Sequence, residues 1–470
     1  MRAEVDRSEG DVNLGDRRTA WQSTHLDRDT RALLDEDARW FLHQSMSTPC
    51  LNVLEAAQGA WLTDTAGRRI LDFHGNSLHQ VGHGHPRVMA AMRETLETLP
   101  FSPRRYTNRP AIELARRLCM AAPMEEAKLL FAPGGTAAIG MALKLARLVT
   151  GRFKTLSMWD AFHGASLDAI SLGGEAVFRR GIGPLLPGTE HVPPCDPAEC
   201  VFGCGGTCAL RCVDYIDYCL RKEGDVAAVV VETIRCTDVQ IPPPDYYRRL
   251  RRICDRHGAL LILDEIPIAL GRTGHLFAIE RYGIEPDMVV IGKGLGGGSM
   301  PLAALIARSG FDVGQHISLG HYTHEKNPLA CAAGLAVLDV IEEERLLARS
   351  LRPGGIILIG EPYWRQLPPT DEAARQCLAG SISDFLTLPA LLASFGELGY
   401  DVVEMVLADQ DSWDRYEAAK WLTLRRWLDA NPGDELAEEV RAKLRSEPVR
   451  HAAYTREYLG WGVFALMSRV

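Results

Sequence analysis

The 470-residue sequence lacks any uninterrupted apolar run near the roughly 18 residues that a membrane-spanning helix needs. It also lacks a basic excess: 52 Lys and Arg stand against 61 Asp and Glu, a net charge of −9. No whole-chain positive field is therefore available for nucleic acid or an anionic membrane, and neither is expected as a partner. The opening stretch, MRAEVDRSEGDVNLGDRR, is polar and of mixed charge, without the apolar core of a signal peptide. A cytoplasmic protein is the expectation. Internal repeats and low-complexity tracts are missing too. What remains is ordinary for a globular α/β protein, with 46% hydrophobic and 24% charged residues and length enough for two or three domains. Cysteine is plentiful, with 12 residues, which reads as reduced thiols or metal ligands rather than a disulfide framework.

Residues up to about 42 read as a polar arm carrying one amphipathic helix, Asp29 to His43. From about Cys50 to Ala330, short β-rich apolar runs alternate with helical segments: KLLFA (128–132), KTLSM (154–158), VAAVVVE (226–232), ALLILDE (259–265) and DMVVIGK (287–293). Such runs suggest a parallel sheet covered on both faces, whose chemistry collects at the carboxyl ends of the strands. The polar residues stand there: Glu232 ends one run, Asp264 and Glu265 the next, Lys293 the third. A long helix follows Asn327-Pro328 and continues through the acidic residues 342–344. The pattern restarts at Leu351 with LRPGG and a buried strand, and closes with GWGVFALM (460–467), a hairpin-like strand.

A pyridine-based electron sink needs an amine for its aldehyde, a carboxylate for its ring nitrogen, backbone N–H groups for its phosphate and an aromatic face over the ring. Lys293 lies in Ile-Gly-Lys-Gly-Leu-Gly-Gly-Gly, directly after a buried strand, where glycines let the backbone approach a flat ligand. A P-loop fits poorly, because Gly294 rather than Ser or Thr follows the lysine. A dinucleotide loop is formally matched by Gly292, Gly294 and Gly297, but SMPLAALIA continues as a strand. Asp264 ends an apolar strand and is costly there without a cationic partner, which a protonated pyridine nitrogen supplies. FAPGGTAAIG places Gly135, Thr136 and Ala137 at a helix N-terminus, either as a phosphate cradle or as a plain glycine turn. Phe162-His163-Gly164 follows the next strand, with Phe162 either covering a ring or filling the core.

Together these motifs resemble the class III aminotransferases, of the ornithine and γ-aminobutyrate transaminase type, over residues 50 to 345. The resemblance implies the large domain of a fold-type I pyridoxal-phosphate (PLP) transferase with a mostly parallel sheet. It implies that Lys293 forms the internal aldimine, Asp264 pairs the pyridine nitrogen, Phe162 stacks on the ring, and Gly135 and Thr136 hold the phosphate. Glu232 is placed with the cofactor-binding residues. Thr323, in HYTHEKNP, matches a threonine that reaches the phosphate of the neighbouring protomer, which implies a homodimer. The expected activity is transaminase chemistry on a small primary amine.

The sequence departs from that family at Ala137, Ile139, Ile266-Pro267 and Glu325-Lys326, all near the ring edge or the loop before Asn327. FSPRRYTN (101–108), FHGASLDAISLGGE and GHYTHEKNP are similar to a branch of ammonia-lyases and phospho-lyases. An alternative activity is therefore elimination of ammonia from 1-hydroxy-2-aminoethylphosphonate. Arg104 or Arg105 would grip the phosphonate in that case, unless both are solvated. Cys195, Cys200, Cys204, Cys208, Cys212 and Cys219 crowd one segment, and Cys200, Cys204, Cys208 and Cys212 form a candidate zinc set, with free thiols as the other reading.

The Val-Arg-Gly-x-Gly-Leu stretch of class III C-terminal domains is absent. Residues 351–470 instead resemble the second half of a class I S-adenosylmethionine methyltransferase, without its nucleotide loop. The expected organisation is an arm (1–49), a PLP-binding domain (50–349) and an incomplete, partly Rossmann-like α/β segment (350–470), joined as by a fusion. Two further functions stay open: a PLP-binding chain weakened by its replaced C-terminal domain, and methyltransfer, disfavoured by the missing loop.

Overall fold

The strands of the central region are apolar on both faces because helices cover both sides of the sheet they form. A computed structural model describes residues 16–44, 47, 49–196, 200–204, 208–236, 239–348 and 356–469. The LRPGG turn at 351–355 and the first 15 residues of the polar arm lie outside the described residues. Strands are numbered along the chain. A small antiparallel sheet, β1 (Leu54–Gln58), β2 (Trp61–Asp64) and β3 (Arg69–Leu71), precedes the main one.

The main sheet holds β4 (Ala127–Ala132), β5 (Lys154–Met158), β6 (Thr189–Val192), β7 (Val226–Glu232), β8 (Leu260–Asp264), β9 (Met288–Ile291) and β10 (Ala303–Arg308). Their order is β4-β10-β9-β8-β7-β5-β6. The pairs from β9 to β6 are parallel, whereas β10 runs antiparallel to both β4 and β9. The sheet is thus mixed and mostly parallel. Alternate strand residues feed two cores. Val230, Ile262, Val290 and Leu305 pack with the helix Gly135–Thr150, and Val229, Leu261, Val289 and Ile306 face the other layer. There the helix Pro328–Glu343 lies against Pro86–Thr98 and Arg109–Ala121.

The register brings Glu232 opposite Asp264 and Asp264 opposite Val290. Strand β9 ends two residues before Lys293. Three adjacent carboxyl ends therefore present Glu232, Asp264 and Lys293 on one edge of the sheet.

The chain forms two compact units, Met1–Ala348 and Arg349–Val470. In the second, β11 (Ile356–Trp364), β12 (Tyr400–Leu407) and β13 (Leu459–Ser468) form a sheet of order β11-β13-β12. The closing GWGVFALM segment is therefore a central strand, paired antiparallel on both sides, and not half of a hairpin. Its glycines allow this: a Cβ at Gly460 would meet the Tyr363 ring at 2.4 Å, and one at Gly462 the Phe464 ring at 2.7 Å. One face packs Tyr363, Phe464 and Leu466 under Leu391 and Phe395, while Leu358, Val406 and Val463 are exposed. β11 and β12 therefore run in the same direction, with β13 reversed between them.

At the N-terminal end two helices stand where one was expected: Asp16–His25 and Arg28–Trp40. The break falls at Asp27, whose carboxylate accepts the Thr30 N–H at 2.7 Å and caps the second helix.

Candidate active site

Lys293 opens a short helical turn with φ +44°, a left-handed conformation that a lysine adopts only where its surroundings impose it. The glycine after it is sterically required. A Cβ on Gly294 would stand 1.8 Å from Oε1 of Gln80, whose Nε2 donates to the carbonyls of Ser77 and Ala269. Gly292 and Gly135 both abut Ile266, at 3.4 and 2.6 Å from the position of a Cβ. That isoleucine ties the lysine turn to the glycine turn before the helix Gly135–Thr150.

The N-terminus of this helix has Gly134 at its cap and no side-chain acceptor, so its first N–H groups are free for an anion. The Thr136 hydroxyl accepts the Ala165 N–H at 3.3 Å. Gly164, at φ +132°, leaves room for that hydroxyl, since a Cβ there would fall 2.3 Å from it. Gly135, Thr136 and the Phe162–Ala165 loop thus share one wall.

Asp264 is buried, with 2% of its surface exposed. Its Oδ1 accepts the Ile266 N–H at 3.0 Å, and its Oδ2 accepts from Nδ1 of His163 at 2.8 Å. Nε2 of His163 lies 3.3 Å from the Ser157 hydroxyl. Burial disfavours a charged His163, but the Asp264 carboxylate, with Glu232 beyond it, outweighs burial and raises the imidazole pKa above its ordinary value. Glu232 accepts the Phe162 N–H at 2.9 Å and the Cys236 N–H at 3.1 Å. Burial holds its carboxyl above the usual range. The Phe162 ring meets Phe178 at 4.3 Å between centroids. Gly135, Thr136, Phe162, Glu232 and Asp264 are therefore linked through short contacts with one another, with the Gly164–Ala165 loop and with Ile266, which also abuts Gly292, the residue before the exposed Lys293.

The other sequence candidates stand elsewhere. Thr323 is exposed in a loop that packs on the 101–108 segment, through the Phe101 and His324 rings and the Asn108 amide on the Lys326 carbonyl. Arg104 lines a cavity of about 360 Å³ with Lys128, Arg308, Phe311, His321 and Glu325, and none of Lys293, Asp264 or Phe162 borders it. Arg105 is exposed. The zinc set is not assembled: among the described residues no group of three or more His, Cys, Asp or Glu side chains is arranged to hold a metal ion.

His163 was not among the residues singled out by sequence, although it sits inside the Phe-His-Gly motif. A histidine this close to an apolar strand end reads equally as core or site, and only its 2.8 Å contact to Asp264 decides. Gln80 left no signal in the sequence at all.

The residues fit a PLP-like group. They combine an uncapped helix N-terminus, a buried carboxylate held by a buried imidazole, an aromatic ring, and a lysine on a turn that only glycine can follow. The family model for class-III aminotransferases matches residues 43–358. The chain is 47% identical over 364 residues to the (R)-1-hydroxy-2-aminoethylphosphonate ammonia-lyase of Vibrio splendidus (strain 12B01), covering 74% of this chain and 76% of that protein. A 152-residue match, 60% identical, links it to the uncharacterized protein YjhP of Escherichia coli (strain K12), covering 32% of this chain and 61% of YjhP. Among solved structures, the taurine:2-oxoglutarate aminotransferase of Bifidobacterium kashiwanohense, in complex with PLP and glutamate, aligns with a TM-score of 0.63 at 27% identity. That alignment covers 68% of this chain and 74% of the other.

Proposed function

Because the chain belongs to the class-III aminotransferase family, we propose that it is a PLP enzyme acting on a small primary amine, with Lys293 as its cofactor lysine. The observation that carries this is that Ile266 joins the Asp264–His163 pair, the uncapped helix at Gly135 and Gly292, the residue before Lys293. In this reading Gly135 and Thr136 hold the phosphate. Asp264, held by the His163 imidazole, faces the ring nitrogen. Phe162 covers the ring, its backbone fixed by Glu232. When bound, the cofactor supplies an electron sink for charge at the carbon bearing the amine. The Lys293 amine carries the proton to and from that carbon.

Transamination and elimination share these residues. The relative at 47% identity favours release of ammonia from 1-hydroxy-2-aminoethylphosphonate. Within one chain Arg104 lines a cavity away from Lys293, so we assign it, with Arg105 as the second choice, to the phosphonate bound at a second copy's site in a homodimer, where Thr323 would serve the cofactor phosphate. We place the enzyme in the cytoplasm. Incubation of the PLP-loaded chain with that phosphonate tests the reading. Ammonia and an aldehyde in equal amounts, lost in Lys293→Ala, support elimination. Exchange of the amine onto a 2-oxo acid supports transamination, and neither product in either assay overturns the proposal.

For residues 350–470 we propose descent from the last three strands of a class I methyltransferase, joined to the PLP unit by fusion. The order β11-β13-β12, with β13 reversed between two strands of like direction, supports it. The missing nucleotide loop argues against methyltransfer. If the replaced C-terminal domain weakens catalysis, PLP binds with little turnover in either assay.

A further inference from the structure

The segment from Asp72 to His83 lies across the loops that follow β7, β8 and β9. Its ends are clamped together: Nε2 of His83 stands 2.8 Å from Oδ2 of Asp72, whose Oδ1 accepts the His74 and Gly75 N–H groups at 3.0 and 2.7 Å. Between the ends, Gly75, Asn76 and Ser77 are all left-handed, at φ +46°, +46° and +58°. Asn and Ser adopt that conformation in succession only where the surroundings impose it. The Ser77 hydroxyl meets the Cys236 sulfur at 3.7 Å, beyond the end of β7. Gln80 donates to the Ala269 carbonyl at 3.4 Å, beyond the end of β8, and abuts Gly294, beyond the end of β9. Leu78 touches the same lysine turn, since a Cβ on Gly298 would fall 3.0 Å from its Cδ1.

Gln80 joins these loops with both ends of its amide. Two carbonyls, Ser77 at 3.3 Å and Ala269 at 3.4 Å, face one side of the group, which assigns Nε2 there and turns Oε1 towards Gly294. The position of a Gly294 Cβ is 1.8 Å from Oε1, 2.2 Å from Cδ and 2.8 Å from Nε2, so the whole amide lies against the glycine. Oε1 is buried and has no hydrogen-bond partner among the described residues. A buried acceptor without a donor costs stability, and such groups gather where function sets the geometry. An apolar side chain of the same length would avoid that cost but leave both carbonyls without this donor.

We propose that Gln80 is a positioning residue for Lys293, a role that rests on Lys293 being the cofactor lysine. Its amide, pinned to the loop after Asp264, is the stop against which the Lys293–Gly294 turn rests. It thereby sets where the lysine amine stands relative to the Asp264 carboxylate. Lys293 is itself left-handed, at φ +44°, and its side chain is exposed, so the backbone turn fixes its place. Without the stop, the turn relaxes towards the ordinary right-handed region and swings the Cα–Cβ bond, and the amine with it. Methionine at position 80 keeps the length and loses both hydrogen bonds. Asparagine keeps the donor but is one methylene shorter, and cannot bond Ala269 and press on Gly294 together.

The test compares the full, PLP-loaded wild type with Gln80→Met, Gln80→Asn and Asp72→Asn. The readouts are the pH titration of the visible absorbance of attached cofactor, kcat and KM on the amine, and Tm. Gln80→Met should move the titration midpoint by about half a pH unit or more. It should lower kcat on the order of 10-fold or more with KM within about threefold, because a reacting group displaced by about an ångström loses that much. Gln80→Asn should move the midpoint less and in the same direction, and it carries the test if the methionine variant does not fold. Asp72→Asn loosens the clamp on the segment without touching the amide, and should lower Tm while leaving the midpoint in place. If it moves the midpoint as far as Gln80→Met does, Gln80 only holds the segment together and the positioning role is overturned. Unchanged midpoints in both Gln80 variants overturn it as well, with the lysine assignment intact. A wild-type band that is absent, or that survives Lys293→Ala, overturns the lysine assignment and this proposal with it.

Discussion

Nδ1 of His163 lies 2.8 Å from Oδ2 of Asp264, across 101 positions of sequence, with both side chains out of solvent. The pair joins the strand end of β8 to the loop after β5. Its imidazole balances the Asp264 carboxylate before any cofactor arrives. His163→Leu should therefore leave a buried carboxylate without its partner and cost about 3–5 kcal/mol of stability. His163→Asn, which keeps a donor within reach, should recover part of that loss. The diagnostic readout is the pH dependence of the visible absorbance of bound PLP: Leu should shift it and Asn should shift it less. Identical titrations for wild type and both variants would show that His163 acts on folding alone.

A second prediction concerns the glycine after the lysine. Gly294→Ala drives its methyl into Oε1 of Gln80 and should cost about 1–3 kcal/mol while weakening cofactor retention. Removing the obstacle should help. The double variant Gly294→Ala, Gln80→Ala is expected to retain more PLP than Gly294→Ala alone, measured by absorbance after gel filtration. No difference between the two would mean that strain in the Lys293 turn, not Gln80, sets the requirement.

Glu265 gives the pH dependence. Its carboxylate accepts Thr233, Ala278 and Ile279, yet burial wins and pushes its pKa up to about 7. A raised folded pKa means the folded state keeps a proton that the unfolded chain loses near 4.5. The stability it contributes is full below about pH 4.5 and is lost as pH rises towards 7, by about 3 kcal/mol. Denaturant unfolding of wild type and Glu265→Gln at pH 4.5 and 8 checks the sign. The variant should lose less stability than wild type between those two conditions, and parallel losses would refute the shift.

Lys293→Ala should fold normally, because the side chain is exposed and its turn is held by neighbouring glycines and Ile266. Activity on the amine should fall on the order of 10³-fold or more, with the visible absorbance of attached cofactor absent. Retained absorbance at the wild-type wavelength would move the attachment to another residue.

Much of the site was legible in the sequence because each of its parts is local. Lys293, Asp264, Glu232 and the Gly135-Thr136 turn each follow an apolar run directly, and a run's end can be read from composition. The strand positions were legible for the same reason. What escaped were side chains whose importance depends on a distant partner, such as His163 on Asp264 and Gln80 on Gly294. The cysteines escaped differently: spacing gave their proximity along the chain, but not which sulfurs meet.

The sequence alone determined that a lysine, a carboxylate, an aromatic ring and a glycine-opened helix stand at successive strand ends, since hydrophobic patterning fixes where each strand stops. It also determined that the chain changes character near residue 350. Only the tertiary structure decided which strands are neighbours, placing Glu232 opposite Asp264 through the β7–β8 register and turning the final apolar run into the middle of a sheet. Strand order depends on contacts between residues far apart in sequence, and no local pattern encodes those. For that reason too, only the structure showed that, among the described residues, the thiols assemble no metal site, and that Arg104 lines a cavity away from Lys293.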